Sequence, residues 1–286
     1  MNKFVQSAFC AITALILLFP PALSAVTPAA QNETLILGVF PYISANQMME
    51  QLAPLCRRIE EALGKKVTLV SAPDFRSYVD RTTRGDYDLV LTAAHMGVLA
   101  EKRDGWQRVV QSGQKTATVL LVRQQSSIQK IEDLRHKRIA VGNKQSITYV
   151  LAQQAIAEKG IILGQDMEVI DTATFSNVVQ SVLLGEADVG ATPTLLWDTW
   201  EHVNADQRHQ LREIYRATPA APSFLVMASP KTDQATIRLL IGSLLSFEDT
   251  VAGQSFFQKS QFESFQPLDD ATMDSALPFV PVLMQP

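Results

Sequence analysis

The feature that most constrains this fold is a strand that turns into a capped helix between Arg138 and Gly160. Residues 138–141 predict a short buried strand, and 142–144 predict a turn. Ser146 lies at the N-cap position of a helix whose apolar residues are spaced four apart, at Ile147, Leu151 and Ala155. Such a turn directs unpaired backbone N–H groups and the positive end of a helix dipole at one point, which favours an anion. Most turns of this kind bind nothing, so the segment alone is a weak signal.

The same strand–turn–helix pattern recurs along the chain. Strands are predicted at residues 35–40, 67–71, 88–92, 138–141, 167–170 and 187–192, with helices between them. This alternation predicts an α/β fold with mainly parallel sheets. Five identities recur one hundred residues apart, at Phe75/Phe175, Val79/Val179, Gly85/Gly185, Asp88/Asp188 and Thr92/Thr192. Chance can produce five such matches, but together with the element order they predict two similar lobes.

The C-terminal part breaks this repeat. It predicts strands at residues 211–217 and 224–228, followed by helices at 233–247, 251–259 and 269–277. The economical arrangement takes the chain from lobe 1 to lobe 2 near 118–122 and back near 218–226. Lobe 1 then comprises residues 34–118 and 224–286, and lobe 2 comprises residues 119–223. Two connections of this kind form a hinge.

The N-terminal segment is typical of a secretory signal peptide over residues 1–25. Lys3 is followed by an apolar stretch at 8–19 and by Ala22-Leu23-Ser24-Ala25, which resembles a cleavage site. An uncleaved membrane anchor is the alternative. Residues 26–33 predict a disordered leader. We therefore expect an exported, periplasmic protein.

Composition argues against several classes of function. The net charge of −4 disfavours a nucleic-acid partner. Removal of residues 1–25 leaves Cys56 without a disulfide partner, and no histidine pair has metal-binding spacing. The chain contains no nucleophile elbow and no phosphate-binding Walker loop. Carboxylates paired near strand starts, Asp86 with Asp88 and Glu186 with Asp188, are more typical of strand flanks than of catalysis. We expect no enzyme, no metal and no cofactor.

Candidate binding residues lie where ligands bind in open α/β sheets, beyond the carboxyl ends of the strands. Four turns occupy that position, at residues 42–45, 92–95, 145–148 and 175–177, and they are rich in hydroxyl and amide donors. The predicted ligand-binding residues are Tyr42, Ser44, Thr92, His95, Ser146, Thr148, Tyr149, Ser176 and Asn177. Several have a structural alternative: an ordinary N-cap for Thr92, Ser146 and Ser176, a polar first helical turn for the histidine, and core packing for the two tyrosines. The expected ligand is a small oxyanion held by neutral donors.

Long runs of the sequence resemble one family. These are GVFPYIS, RGDYDLVLTAAH, the run from Ser127 to Gly142, the run LLGEADVG at 183–190, and TPAAPSFLVMAS. They are similar to the phosphate/phosphite/phosphonate-binding proteins of ABC transporters, the PhnD-like periplasmic solute-binding proteins. The resemblance spans nearly all of the chain after the signal peptide.

The resemblance implies a two-lobed type 2 periplasmic binding protein fold that clamps an anion between lobes joined by two hinge strands. The family's Ser-Thr-Ser-Gly turn corresponds to residues 146–149, which read Ser-Ile-Thr-Tyr, so the first and third hydroxyls are kept. A Ser-His pair of the family corresponds to Ser176-Asn177. Where aminophosphonate binders have an acid, this chain has Ser223 and Phe224. The implied ligand is therefore phosphate, phosphite or a simple phosphonate.

The sequence thus predicts a monomeric periplasmic solute-binding protein that clamps a small oxyanion between two lobes and delivers it to an ABC permease. The first alternative is a ligand-sensing partner of a receptor kinase or chemoreceptor, which would use the same cleft. An enzyme built on the same lobes is the second alternative.

Overall fold

The computed structural model describes residues 34–284, with backbone alone at 201–203. The predicted signal peptide and leader lie outside these residues. Among the described residues, no helix is long and apolar enough to cross a membrane.

The first part of the chain alternates strands and helices as predicted. Its elements are β1 Leu35–Val39, α1 Ala45–Leu63, β2 Val67–Ser71, α2 Phe75–Arg84, β3 Leu89–Thr92, α3 Ala94–Asp104, β4 Gln107–Ser112, β5 Lys115–Thr116 and β6 Thr118–Arg123. Helix α1 shows why these residues form these elements. Ser44 is its N-cap and Gly64, in the left-handed region at φ 65°, ends it. Between them a buried stripe recurs at helical spacing, at Met48, Leu52, Leu55 and Ile59.

The second part repeats the alternation and then departs from it. Its elements are β7 Arg138–Val141, α4 Ile147–Ala157, β8 Glu168–Asp171, α5 Phe175–Leu184, β9 Val189–Pro193, α6 Thr194–Arg208, β10 Leu211–Arg216, β11 Ala221–Pro222, β12 Leu225–Ala228, α7 Gln234–Leu245, α8 Val251–Ser260, β13 Phe265–Pro267 and α9 Asp270–Ala276. Sequence reasoning did not predict α6 or β13. Helix α5 begins one residue earlier than predicted because Thr174 is its N-cap.

Two sheets of matching order organise these elements. The first sheet has the order β2-β1-β3-β12-β4-β13, and the second has the order β8-β7-β9-β6-β10. Strands β2-β1-β3 and β8-β7-β9 are parallel, and the remaining pairs in each sheet are antiparallel. The predicted two-sheet α/β fold is confirmed, with antiparallel strands added to one side of each parallel core. In each sheet the strand beside the parallel core, β12 or β6, follows directly after a passage from the other sheet.

The chain passes between the sheets twice, and the two passages pair with each other. Strand β5 is antiparallel to β11, with Thr116 opposite Ala221. Sequence reasoning placed the first passage near residues 118–122, but these residues form β6 inside the second sheet, so the passage comes just before them. The lobe boundaries at 118/119 and 223/224 stay a prediction. Below, "first half" and "second half" mean the first and second sheets with their covering helices.

Apolar clusters hold each half together and join the two. One large cluster covers the first sheet. The second sheet has one cluster on each face, since Leu120 and Val122 belong to one and Val119 and Leu121 to the other, as alternation along a strand requires. Ile147, on α4 of the second half, packs into the cluster of the first half. The two halves are therefore in contact beside the start of α4.

Candidate ligand-binding site

A cavity of about 160 Å³ lies where the carboxyl ends of parallel strands from both sheets meet. Phe40 follows β1, Ala93 follows β3, and Pro193 ends β9; all three line it. The first turns of α3, α4, α5 and α6 also contribute lining residues. Ligands are expected at this edge of an α/β sheet, and here two such edges face each other.

Five of the nine predicted binding residues line this cavity. They are Tyr42, His95, Ser146, Thr148 and Ser176. Three of them are almost fully buried, with exposed fractions of 1% for His95, 5% for Ser146 and 3% for Thr148. The structure thus brings together residues that are up to 134 positions apart (176 minus 42) in the sequence. Their roles in binding stay predictions.

The other four predicted residues lie outside the cavity. Ser44 is exposed, and its hydroxyl donates to Gln47 Oε1 at 2.7 Å. Thr92 is buried beside a separate void of about 10 Å³ between α2 and α3. Tyr149 lines a different, outer pocket, and Asn177 is exposed. The positions of Tyr149 and Asn177 follow from helix geometry, since adjacent residues in a first helical turn point about 100° apart.

The turn before α4 is built by two local hydrogen bonds and by one close approach to α5. Asn143 Oδ1 accepts from the backbone N–H of Gln145 at 2.8 Å, and Ser146 Oγ accepts from the N–H of Tyr149 at 3.1 Å. Gly142 is required here because a Cβ at this position would lie 2.6 Å from the ring of Phe175. Ser146 is therefore both an N-cap and a cavity residue: its oxygen caps the helix while its hydrogen stays available.

Helix α3 begins inside the cavity wall without a side-chain cap. Its N-cap residue is Ala93, which makes no side-chain capping bond, and Ala94 and His95 are buried. The first N–H groups of a helix have no partner within the helix, so an acceptor has to come from elsewhere. A buried, uncapped helix start facing a cavity is suited to a ligand oxygen.

The imidazole of His95 ties the two halves together. Its Nε2 lies 2.8 Å from the carbonyl oxygen of Gln145, on the second half. Because a carbonyl can only accept, Nε2 carries the hydrogen. Burial lowers the pKa of His95 to about 4, so the ring is neutral at pH 7. The Nδ1 atom is buried without a partner among the described residues. The side chain therefore has no hydrogen left to give to an anion.

Helix α6, which sequence reasoning missed, begins in the same way as α3. Its N-cap residue is Pro193, again without a side-chain capping bond, and Leu195 and Leu196 line the cavity. The hundred-residue repeat could have predicted this helix, because Pro193 before α6 corresponds to Ala93 before α3. Other lining residues that were missed are Thr199, on α6 itself, and Gln51, Thr116 and Ser260, on other elements.

Hydrogen bonds connect several of the polar lining residues. The hydroxyl of Tyr42 donates to Gln51 Oε1 at 3.1 Å, and Gln51 Nε2 donates to the carbonyl oxygen of Ser260 at 3.3 Å. Burial raises the pKa of the Tyr42 hydroxyl, so it stays protonated. Thr116 Oγ1 donates to Ser223 Oγ at 3.1 Å and so joins the two passages between the sheets.

The lining of the cavity carries no formal charge. Its residues are hydroxyl, amide, imidazole and apolar side chains, and no Lys, Arg, Asp or Glu is among them. Asp198, a carboxylate on α6, is held by Arg216 in a bidentate pair at 2.7 and 3.0 Å. Among the residues that the structure describes, no cluster of three His, Cys, Asp or Glu side chains could hold a metal ion.

Five rings of the first half form a continuous aromatic wall. These are Phe75, Phe40, Tyr42, Phe224 and Phe262, all of which line the cavity. Phe40 contacts the rings of Phe75, Tyr42 and Phe224, with centroids 5.7, 5.0 and 5.7 Å apart. Phe224 extends the wall to Phe262, with centroids 4.5 Å apart.

Comparison with known families identifies the chain. The model of a family described as "ABC transporter, phosphonate, periplasmic substrate-binding protein" matches residues 37–273. The chain belongs to this family. Members of the phosphonate-transporter binding family are periplasmic substrate-binding components rather than enzymes.

Solved structures share the fold of this family member at low sequence identity. A phosphonate-transporter binding protein from Pseudomonas aeruginosa matches with a TM-score of 0.76 and 15% identity, over 87% of this chain and 85% of its own. PhnD1 from Prochlorococcus marinus, solved with methylphosphonate, matches with a TM-score of 0.78 and 14% identity, over 88% and 99%. A Xanthomonas citri protein solved with chloride matches with a TM-score of 0.70 and 23% identity, over 88% and 97%. These likenesses support the type 2 periplasmic binding protein fold.

Proposed function

We propose that this protein binds a small phosphorus oxyanion (phosphate, phosphite or a phosphonate) in the cavity between its halves and delivers it to an ABC permease. The observation that carries the proposal is the convergence of four helix starts from both halves on one buried, uncharged cavity. The family supports the substrate-binding role and the permease partner. We further propose that the protein acts as a monomer and catalyses no reaction.

Neutral donors can hold an anion here because several of the lining side chains are almost fully buried. Hydrogen bonds to an ionised oxygen are about twice as strong as those between neutral groups, and low dielectric strengthens them further. The starts of α3 and α6 have no side-chain cap, so N–H groups of their first turns are available, although the N–H of Thr194 in α6 donates to the carbonyl oxygen of Ala117 at 3.1 Å. Ser146 and Thr148 add hydroxyl hydrogens at the start of α4. Movement of the halves about the paired passages β5 and β11 would admit and release the ligand.

Thermal and chemical unfolding with a panel of anions tests binding. The panel is phosphate, phosphite, methylphosphonate, sulfate and nitrate. A ligand at one hundred times its Kd should add about 2.7 kcal/mol to the free energy of unfolding. The double variant Ser146→Ala, Thr148→Val should lose this gain, whereas Ser44→Ala, at the exposed N-cap of α1, should keep it. Absence of a gain with every anion would remove the proposal.

Uptake measurements test delivery to a permease. Cells lacking this protein should lose high-affinity uptake of the ligand identified above, and expression of the wild-type chain should restore it. Expression of the double variant should not. Unchanged uptake without the protein, despite tight binding in vitro, would favour a sensing role over transport.

A further inference from the structure

The cavity offers a bound anion no opposite charge. Among the residues that the structure describes, those that line the cavity include no Lys or Arg, and its histidine is neutral. The free energy that an ion loses on leaving water rises with the square of its charge. A dianion is therefore much more costly to bury between neutral donors than a monoanion of the same size.

His95 contributes a free acceptor to the cavity lining. Its Nε2–H donates to the carbonyl oxygen of Gln145 at 2.8 Å, so Nδ1 carries only a lone pair. The residue is only 1% exposed, and Nδ1 has no hydrogen-bond partner among residues 34–284. The other buried side-chain atoms that lack a partner there belong to residues outside the lining, namely Tyr87, Gln114, Thr192 and Trp200. A ligand hydroxyl that donates to Nδ1 would remove the penalty of an unpaired buried acceptor.

The bond between the halves leaves this acceptor free. Nε2 is directed toward Gln145, which lines an outer pocket and not the cavity. The lone pair of Nδ1 points to a different side of the ring, and the ring itself lines the cavity. A ligand can therefore bind at Nδ1 while His95 keeps its bond to the second half.

The other polar groups of the lining suit the bare oxygens of such a ligand. The hydroxyl hydrogens of Ser146, Thr148 and Ser176 have no acceptor among the residues that the structure describes. The start of α3 adds backbone N–H groups from the first half. Donors for bare oxygens, together with a buried acceptor for a hydroxyl, are complementary to an oxyanion that keeps one proton.

The groups around His95 do not titrate near neutral pH. Burial lowers the pKa of His95 to about 4, and no charged side chain of the described residues contributes to this shift. Tyr42, which also lines the cavity, stays protonated because burial raises its pKa. Lys144, beside Gln145, pairs with Asp171 at 2.8 Å in the outer pocket. Above pH 6.5 the ligand is therefore the group in the cavity that titrates.

We infer that the cavity binds its oxyanion in the singly charged form, with the remaining P–OH group donating to Nδ1 of His95. Phosphonates and phosphite bind as their monoanions. Sulfate is disfavoured by its second charge, and sulfonates are disfavoured because they have no hydroxyl hydrogen to donate. This inference rests on the proposed function, because it specifies the charge and protonation of the ligand in the same cavity.

Calorimetric titration with methylphosphonate at a series of pH values tests the inference. Below its second pKa this ligand is a monoanion with one O–H group, and above it the ligand is a dianion. Kd should be constant between pH 6.5 and this pKa, and should rise about tenfold for each pH unit above it. In the upper range, binding should take up about one proton per ligand, which titrations in buffers of different ionisation enthalpy measure.

The outcomes separate this inference from the proposed function. A Kd for methylphosphonate that stays constant or falls as pH rises through the second pKa overturns the inference and leaves the proposed function standing. No binding of methylphosphonate at any pH removes both.

Methanesulfonate separates the hydroxyl from the charge. It has the shape and the single charge of the methylphosphonate monoanion but no hydroxyl hydrogen, and it does not titrate in this range. At pH 6.5 methylphosphonate should bind at least about tenfold more tightly than methanesulfonate. Any binding of methanesulfonate should be independent of pH, and sulfate should bind more weakly still. Equal binding of methylphosphonate and methanesulfonate, or tighter binding of sulfate than of either, overturns the inference.

A variant of the acceptor gives a further test. His95→Leu removes Nδ1 together with the bond to Gln145, so it should weaken the binding of both methyl ligands. The Kd ratio of methanesulfonate to methylphosphonate isolates the acceptor, and it should fall toward one. Thr148→Val removes a donor that serves either ligand, so it should weaken both and keep the ratio. A wild-type ratio in a folded His95→Leu protein overturns the inference, and the wild-type titrations decide it alone if this variant does not fold.

Discussion

Residues 75–92 and 175–192 form the same elements one hundred positions apart, and their structural contacts repeat as well. Asp88 Oδ2 accepts from the backbone N–H of Ile36 at 2.8 Å, and Asp188 Oδ2 accepts from that of Arg138 at 2.9 Å. Gly85 and Gly185 end their helices in the left-handed region at φ 73° and 77°. The sequence repeat therefore preserves the hydrogen bonds and helix ends that build each half.

The halves differ where they face the cavity. His95 of α3 corresponds to Leu195 of α6, and Ser44 of α1 takes the place of Ser146 of α4. Ser44 is exposed, whereas Ser146 is buried in the lining. Contacts that the fold requires are shared, whereas the side chains that meet the cavity mostly differ, with the matched pair Phe75 and Phe175 as an exception. The predictions below test this division, from the largest expected effect to the smallest.

The first prediction concerns the unmatched histidine. The pKa of His95 is lowered to about 4 by burial, so between pH 6.5 and pH 4 the unfolded chain takes up a proton that the folded chain does not. The contribution of His95 to the free energy of unfolding is constant above pH 6.5. It falls by up to about 3 kcal/mol as pH decreases toward 4. Urea unfolding at a series of pH values, on wild type and His95→Leu, measures this loss.

The two proteins should converge in stability as pH falls, because the leucine found at position 195 does not titrate. Leu239→Ala, at a residue that is 58% exposed and does not titrate, should keep the wild-type pH profile. Parallel profiles of wild type and His95→Leu would contradict the assigned burial and neutrality of His95.

The second prediction concerns the matched aspartates. Asp88→Ala and Asp188→Ala each leave the backbone N–H of the opposing strand without its acceptor, so each should lower the free energy of unfolding by about 2 kcal/mol. Asp188 also pairs with Arg138, but that side chain is 39% exposed, so the pair adds little. Denaturant unfolding of both variants measures whether the two losses of stability are equal.

A suitable control is Asp86→Ala, whose carboxylate is exposed and, among residues 34–284, pairs only with the exposed Arg84. It should change stability by less than about 0.5 kcal/mol. If one aspartate mattered and the other did not, the two halves would not share the contact in solution.

The third prediction concerns the two serine caps. Ser146→Ala removes an N-cap at 3.1 Å and should cost about 1 kcal/mol of stability. Ser44→Ala removes a longer bond of 3.5 Å and should cost less. Only Ser146→Ala should weaken phosphonate binding, by about tenfold or more, since a hydrogen bond to a charged group contributes about 1.5–3 kcal/mol. Unfolding and calorimetry on both variants separate the two effects, and equal losses of affinity would contradict the assignment.

The local elements could be predicted because their signals lie within each element. Ser44 and Gly64 bound α1 as expected, and the five-residue strand at 67–71 was predicted without error. Helix α5 was misplaced by one residue because Thr174 and Ser176 are both suitable N-caps and only the structure shows which one accepts the N–H of Asn177. Helix α6 was missed because Pro193 supplies no side-chain cap and much of the helix is polar.

The cavity could be predicted only in part, because its lining depends on how helices rotate and how the halves meet. Ser146 and Thr148 line it, while their neighbour Tyr149 faces an outer pocket. The bond between His95 and Gln145 and the aromatic wall join residues far apart in the chain. No local pattern encodes such contacts, so the apolar character of the site was not apparent from the sequence.

A crystal structure of the protein with methylphosphonate, or with the tightest-binding anion of the panel named under the proposed function, tests the central claim most directly. The account predicts the phosphorus oxyanion between the halves, with oxygens about 3 Å from the hydroxyls of Ser146 and Thr148 and from backbone N–H groups at helix starts. An anion bound elsewhere, with the cavity between the halves filled only by water, would contradict it.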